Sequence, residues 1–363
     1  MPFDAQAPYP STASAHAGQA RAVAWWLLAV AAMVWVMVAL GGATRLTGSG
    51  LSIMEWAPLR GTLPPMSEAE WNRLYDLYRT IPQYELVNRG FGLEGFKSIF
   101  WLEWTHRLWG RLIGLVYAGG LLWFWLRGGI PKGYGKRLLL LLFLGGLQGA
   151  VGWFMVASGF EADRTAVSPW RLVVHLGLAL LLFGVLLWTA LSLLRPDRDA
   201  PPEARPLRPL AHATAGLVVL TMLAGGFVAG IKAGLDYNTF PLMGGQLVPE
   251  GYGGTGATTF LHALVGDVAT VQFNHRLLAT LTGLAALALG VLALARLPAG
   301  AARRAAAAFT AVVLVQYALG VVTLVHVVPA WLGTLHQTVA VAVLAGALLL
   351  LHALRRPRAG RPA

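Results

Sequence analysis

Four histidines mark two places where this chain could do chemistry. His106 and His175 stand in the first half, His275 and His336 in the second. Each sits about two turns inside the outer end of an apolar run, roughly 8–11 Å deep at a helical rise of 1.5 Å per residue. A single histidine at such a depth reads equally well as a core group hydrogen-bonded across helices. Two pairs at matched depth on alternate helices point instead to imidazoles that face one another. The first of the four lies in Glu103-Trp104-Thr105-His106-Arg107, and the second half nearly repeats this run as Gln272-Phe273-Asn274-His275-Arg276, with the acid replaced by its neutral amide. Glu103 precedes His106 by three residues and so shares its helix face. A carboxylate in a membrane is expensive and needs a partner or a task; Arg107 and Arg171 are the candidate partners.

Two facing imidazoles can hold a bare metal ion or take both axial positions of a haem iron. A bare divalent ion draws further carboxylate or cysteine ligands, and only Glu103, in one half, is at hand. Haem needs two axial nitrogens, an apolar slot and cations for its propionates, so one haem per half fits the residues better. Arg107 and Arg276 follow their histidines toward the membrane surface, either as propionate contacts or as snorkelling interfacial charges. Arg45 and Arg171 are further candidates for the same role. His16, His212, His262, His326 and His352 lack such pairing and read as surface or structural groups.

The elements that must position these residues are membrane spans. The 363 residues are 56% hydrophobic and 12% charged, with a mean hydropathy of +0.61, which no soluble fold of this length requires. Runs of about 20 apolar residues suffice to cross a bilayer, and eight are present, near 22–41, 100–126, 138–158, 170–194, 210–230, 268–295, 305–326 and 330–354. The net charge of +12 raises the question of nucleic acid, but its distribution answers it. Arg and Lys gather in the connections after the second, fourth and sixth spans and in the tail, which marks that face as cytoplasmic. Both termini are then cytoplasmic, the loops 42–98, 159–168, 231–267 and 327–329 lie outside, and no nucleic-acid partner is implied. There is no cysteine, which excludes disulfides and thiolate chemistry. Residues 1–21 read as a disordered tail rather than a signal peptide or Arg-rich presequence, on a protein of a bacterial inner membrane.

An internal repeat sets the architecture. Gly41-Gly42, Gly50-Leu51 and Gly61 align without gaps with Gly225-Gly226, Gly234-Leu235 and Gly245; His106-Arg107 matches His275-Arg276; Gln148, Ala150 and Gly152 match Gln316, Ala318 and Gly320. Four spans per half give the halves one orientation, hence parallel repeats. The expected fold is an all-α integral membrane protein of eight transmembrane helices in two parallel-repeat four-helix bundles, 22–194 and 210–354. A solvated linker, 195–209, joins them and a basic tail, 355–363, ends the chain. In the loop 42–98, Ser67 and Glu70 form a capping-box signature ahead of Trp71, Leu74, Tyr75 and Tyr78 at helical spacing, a short helix that is either an interfacial anchor or a lid.

Taken together, Gly42-Ala43-Thr44-Arg45-Leu46-Thr47, Glu55-Trp56, Phe96 to Trp101, Glu103 to Arg107, Val167-Ser168-Pro169, Tyr237 to Pro241 and Leu335-His336-Gln337 closely resemble haem A synthase in its proteobacterial and mitochondrial branch. The resemblance implies an enzyme that oxidises the C8 methyl of haem O to a formyl group, giving haem A for cytochrome oxidase through successive hydroxylations. It implies that His106 and His175 ligate the substrate haem, that His275 and His336 hold a permanent haem b, and that Glu103 assists by stabilising developing positive charge or by managing protons. Implied partners are haem O, membrane lipid, the haem O-producing enzyme and an electron acceptor. Two other readings compete. A di-haem electron-transfer subunit would stack its haems across the membrane, whereas these histidines lie near one face. A parallel-repeat transporter would place polar groups at the midplane, where Gln148 and Gln316 read better as interhelical bridges.

Overall fold

The computed structural model describes residues 12–57, 59–162, 164–195, 200–254 and 259–355. Among these residues all the named elements are helices: α1 (Thr12–Leu46), α2 (Glu68–Tyr78), α3 (Pro82–Leu86), α4 (Gly92–Leu126), α5 (Gly135–Ala157), α6 (Pro169–Leu194), α7 (Arg208–Gly230), α8 (Phe260–Gly266), α9 (Val268–Arg296), α10 (Ala301–Val325) and α11 (Ala330–Ala353). Eight of them, α1, α4, α5, α6, α7, α9, α10 and α11, are long and apolar enough to cross a membrane, as their Leu, Ala and Val runs require.

Local chemistry sets the ends. Asp267 Oδ1 caps α9 by accepting from Thr270 N at 2.8 Å, and Thr259 caps α8. At the end of α4, Gly128 takes φ +60° and the amides of Gly128 and Gly129 return to Trp125 O and Phe124 O, the two bonds of a Schellman stop that glycine permits. Helix α1 begins at Thr12, earlier than the tail boundary read from the sequence, while residues 1–11 and 356–363 of the expected tails lie outside the described residues. The linker is shorter than expected, because α7 already starts at Arg208.

The helices close into two rings of neighbours. In one, α1 packs on α4 and α6 while α5 bridges α4 and α6; in the other, α7 packs on α9 and α11 while α10 bridges α9 and α11. The rings meet through α1, α6, α7 and α11, where Trp35 Nε1 donates to Thr338 O at 2.8 Å and Gln337 Nε2 to Val38 O at 3.0 Å.

The two larger packed clusters lie toward the ends of the spans away from the histidines. In the first ring the cluster joins Val23, Leu27 and Val30 of α1 to Leu186 and Ala190 of α6 and Leu138 of α5; in the second it joins Leu289 and Ala293 to Phe309 and Leu350. A third cluster, Leu51, Tyr78, Ile81, Phe96 and Phe100, caps the first ring outside. Helix α4 starts at Gly92, not near residue 100, and its outward extension carries this cap. On it rests α2, whose Trp71 ring lies 4.8 Å from that of Phe100. The aromatic face of α2 is therefore packed on protein. Ser67 Oγ accepts from Glu70 N at 3.2 Å as the capping signature requires, but the Glu70 carboxylate turns to Arg73 instead of returning to the cap.

Candidate functional site

The four histidines share one construction. A Cβ built on Gly41 of α1 would stand 3.1 Å from Cε1 of His106 on α4, and one on Gly152 of α5 would stand 2.9 Å from Cε1 of His175 on α6. The second ring repeats this: Gly225 of α7 faces His275 at 3.0 Å and Gly320 of α10 faces His336 at 2.9 Å. Each imidazole is pressed against the backbone of the preceding membrane span where only glycine leaves room. All four rings are half-buried, and within each pair the two are near enough to interact electrostatically. His175 lies six residues after Pro169, His275 seven after Val268 and His336 six after Ala330, whereas His106 lies fourteen after Gly92 because of the outward extension of α4.

Gln148 and Gln316 bridge helices as expected, and their partners are the histidines themselves. Gln148 Nε2 lies 3.2 Å from His175 Nδ1 and donates to His175 O at 3.1 Å; Gln316 does the same to His336 at 3.1 and 3.0 Å. Both amide oxygens, Gln148 Oε1 and Gln316 Oε1, are buried without a hydrogen bond among the described residues. His275 Nδ1 donates to Thr221 O at 3.1 Å, which leaves the lone pair on Nε2.

Glu103 has a partner, and it fastens a loop. Oε2 accepts from Ser52 Oγ at 2.7 Å and Ile53 N at 2.9 Å; Oε1 accepts from Arg107 Nε at 3.0 Å and Nη2 at 2.6 Å. Arg107 also donates to Glu55 O at 2.8 Å and to Ile53 O. In the second half Gln272 Nε2 donates to Ala233 O and Asp236 O, both at 2.6 Å. Gln272 Oε1 accepts from Arg276 Nη2 at 2.9 Å, and Arg276 donates to Thr239 O and Tyr237 O. Acid and amide thus build the same latch, each pinning the outer loop that follows the preceding span. Only the first latch is an ion pair. It continues outward, because the Glu55 carboxylate is held by Arg73 of α2 at 2.8 Å and Arg73 also holds Glu70. Hydrogen bonds from Arg73 keep both exposed carboxylates below the usual range.

The structure separates the four candidate arginines. Arg107 is spent on Glu103 and the loop, and Arg171 on Glu161 at 3.1 Å and Phe154 O at 2.9 Å. Arg45 is half-buried one turn beyond Gly41 on the face of α1 that meets His106 and makes no hydrogen bond among the described residues. Arg276 has no carboxylate partner, and its buried Nε is unpartnered. Of the remaining histidines, His262, His326 and His212 are exposed, and His352 is buried against Trp188.

The cytochrome oxidase assembly protein family COX15-CtaA matches residues 24–348. The chain belongs to this family. Among relatives of this COX15-CtaA protein, the heme A synthase of Granulibacter bethesdensis is 59% identical over 341 residues, covering 94% of this chain and 89% of the relative. The heme A synthase of Caulobacter vibrioides is 49% identical over 347 residues, covering 95% of this chain and all of the relative. That of Rhodospirillum centenum is 48% identical over 344 residues, covering 94% and 91%. In this COX15-CtaA chain the sequence had kept Gly41, Gly152, Gly225 and Gly320 in register across the repeat. It gave no sign that they seat the imidazoles. The contacts of Ser52 and Thr221 could not be read, since they depend on which loop and which helix lie opposite.

Proposed function

We propose that this chain is a haem A synthase, a multi-pass inner-membrane oxidoreductase with both termini cytoplasmic. Its substrate is haem O, whose C8 methyl becomes the formyl group of haem A for cytochrome oxidase. The observation that carries this reading is the duplicated glycine-backed imidazole pair, one in each ring, in a chain whose relatives bear the name heme A synthase.

The residues suit haem. A glycine behind each imidazole brings the ring close to the helix and leaves its other edge to the space between alternate spans, and an uncompensated cation stands in each half, Arg45 in the first and Arg276 in the second. His106 and His175 would hold substrate haem O, and His275 and His336 a resident haem b. The two rings are read as parallel repeats. When bound, haem b supplies a one-electron relay toward an acceptor.

Glu103 belongs to the substrate half alone. Four donors occupy its two oxygens, so its contribution is a fixed negative charge and a fixed loop, which favours stabilisation of developing positive charge over proton relay. Arg107 is assigned to that latch, not to a propionate. A di-haem electron relay shares the four ligands, and extracted pigment separates the two. Haem O or haem A beside haem B in protein expressed with a haem O source supports the synthase; haem B alone rejects it.

A further inference from the structure

The two rings hold their histidines alike, with one difference. His275 Nδ1 has an acceptor, Thr221 O, at 3.1 Å. His106 Nδ1, its counterpart, is buried with no hydrogen-bond partner among the described residues. Thr221 stands four residues before Gly225; the residue four before Gly41 is Met37. The Thr221 hydroxyl lies 2.9 Å from that of Thr282 on α9, tying α7 to α9 beside the carbonyl that His275 uses. In the first ring the residue at the matching place, seven after the histidine, is Ile113. Met37 and Ile113 cannot make that tie.

We infer that the Thr221–Thr282 brace makes the second half the retaining haem site, and that its absence makes the first half the exchanging one. The inference rests on the proposal above that each half binds haem. A histidine that donates its far N–H to a carbonyl is fixed in the ligating tautomer and becomes a stronger donor, and losing such a partner lowers metal affinity about 10- to 100-fold. A site that must admit substrate and release product works with the weaker hold; a site for a resident group works with the stronger. Thr221 and Thr282 act through His275 and are positioning residues.

The test isolates the sites in the full-length protein. His106→Ala/His175→Ala leaves the second site and His275→Ala/His336→Ala the first. Each is loaded with haem B and challenged with excess apomyoglobin. Haem should leave the second site at least about 10-fold more slowly than the first. In the second-site protein, Thr282→Val should speed the loss about 10-fold and shift the low-spin electron paramagnetic resonance g-values, while Thr282→Ser, which keeps the hydroxyl, restores both. Equal loss from the two sites, or a Thr282→Val protein with unchanged rate and g-values, overturns the inference and leaves the haem assignment standing. Low-spin haem that persists when all four of His106, His175, His275 and His336 are replaced by Ala removes the haem assignment, and the inference with it, before any rate is compared.

Discussion

Replacing Glu103 by Gln changes one atom type at a buried junction, and the consequences can be worked out donor by donor. The carboxylate, 3% exposed, accepts from Ser52 Oγ, Ile53 N and two nitrogens of Arg107. An amide has one accepting oxygen. Turned toward Ser52 and Ile53, it sets its N–H₂ against the guanidinium; turned toward Arg107, it leaves the Ile53 N–H without an acceptor. Breaking a buried ion pair from one side costs about 3–5 kcal/mol. Arg107 keeps its bonds to Ile53 O and Glu55 O, so the lower end applies, about 3 kcal/mol, or roughly 100-fold in the opening of the 52–55 loop. The four histidines are untouched. Glu103→Gln should therefore retain both haems in the optical spectrum, lose about 100-fold of amide-exchange protection in that loop, and stop haem A formation. Gln272 is no precedent for tolerance, because its amide faces two carbonyls and the Glu103 position faces a hydroxyl and an N–H. Wild-type haem A formation together with wild-type protection would refute both the latch and the role assigned to its charge.

Gly152→Ala and Gly320→Ala each place a Cβ 2.9 Å from an imidazole carbon. Alanine otherwise favours a helix by about 1 kcal/mol, so a loss of bound haem without loss of thermal stability would trace the effect to the ring; full haem occupancy in both would contradict the seating. His275→Ala or His336→Ala should remove the second site's share of the low-spin haem signal and leave that of the first site, while the chain still inserts in the membrane, checked by redox difference spectra on membrane fractions. The Arg73 cluster gives a pH dependence. Glu55 and Glu70 are held below their usual value of 4.5, so the tie between α2 and the latch loop is fully present above that value and is lost as pH falls through the lowered values. Amide protection in 68–78, taken relative to the intrinsic exchange rate at each pH, should hold above 4.5 and fall on acidification below it, and protection that rises on acidification would reverse the sign. Arg45→Gln should weaken retention of haem in a protein limited to the first site without altering the second-site spectrum, and equal retention would remove Arg45 from that site.

The spans and the pairing of the four histidines were legible because both depend on short-range regularities: apolar length for the helices, equal depth for the histidines. The matched glycines and glutamines that meet the histidines were legible too. What could not be read was which carbonyl or hydroxyl each polar group would meet. Glu103 looked like a group in need of either a partner or a task, and the deciding fact, that Ser52 and Ile53 fold back over it, lies some fifty residues away in a loop with no regular period. Arg107 and Arg276 looked alike in sequence; an acid beside one and an amide beside the other gave them different free charge. The outward extension of α4 escaped notice because Glu94, Lys97 and Ser98 interrupt the apolar run there, while Phe96 and Phe100 are covered by Trp71 of α2.

The placing of the two larger packed clusters toward the ends of the spans away from the histidines also orders the protein's biogenesis. That floor can assemble from leucine, alanine and phenylalanine alone as soon as the spans leave the insertion machinery, while the space between the paired histidines waits for what the imidazoles would collect. On the proposed haem assignment, pigment capture is the last act of maturation, and cells starved of porphyrin should accumulate an inserted chain that added protease opens on its histidine side alone.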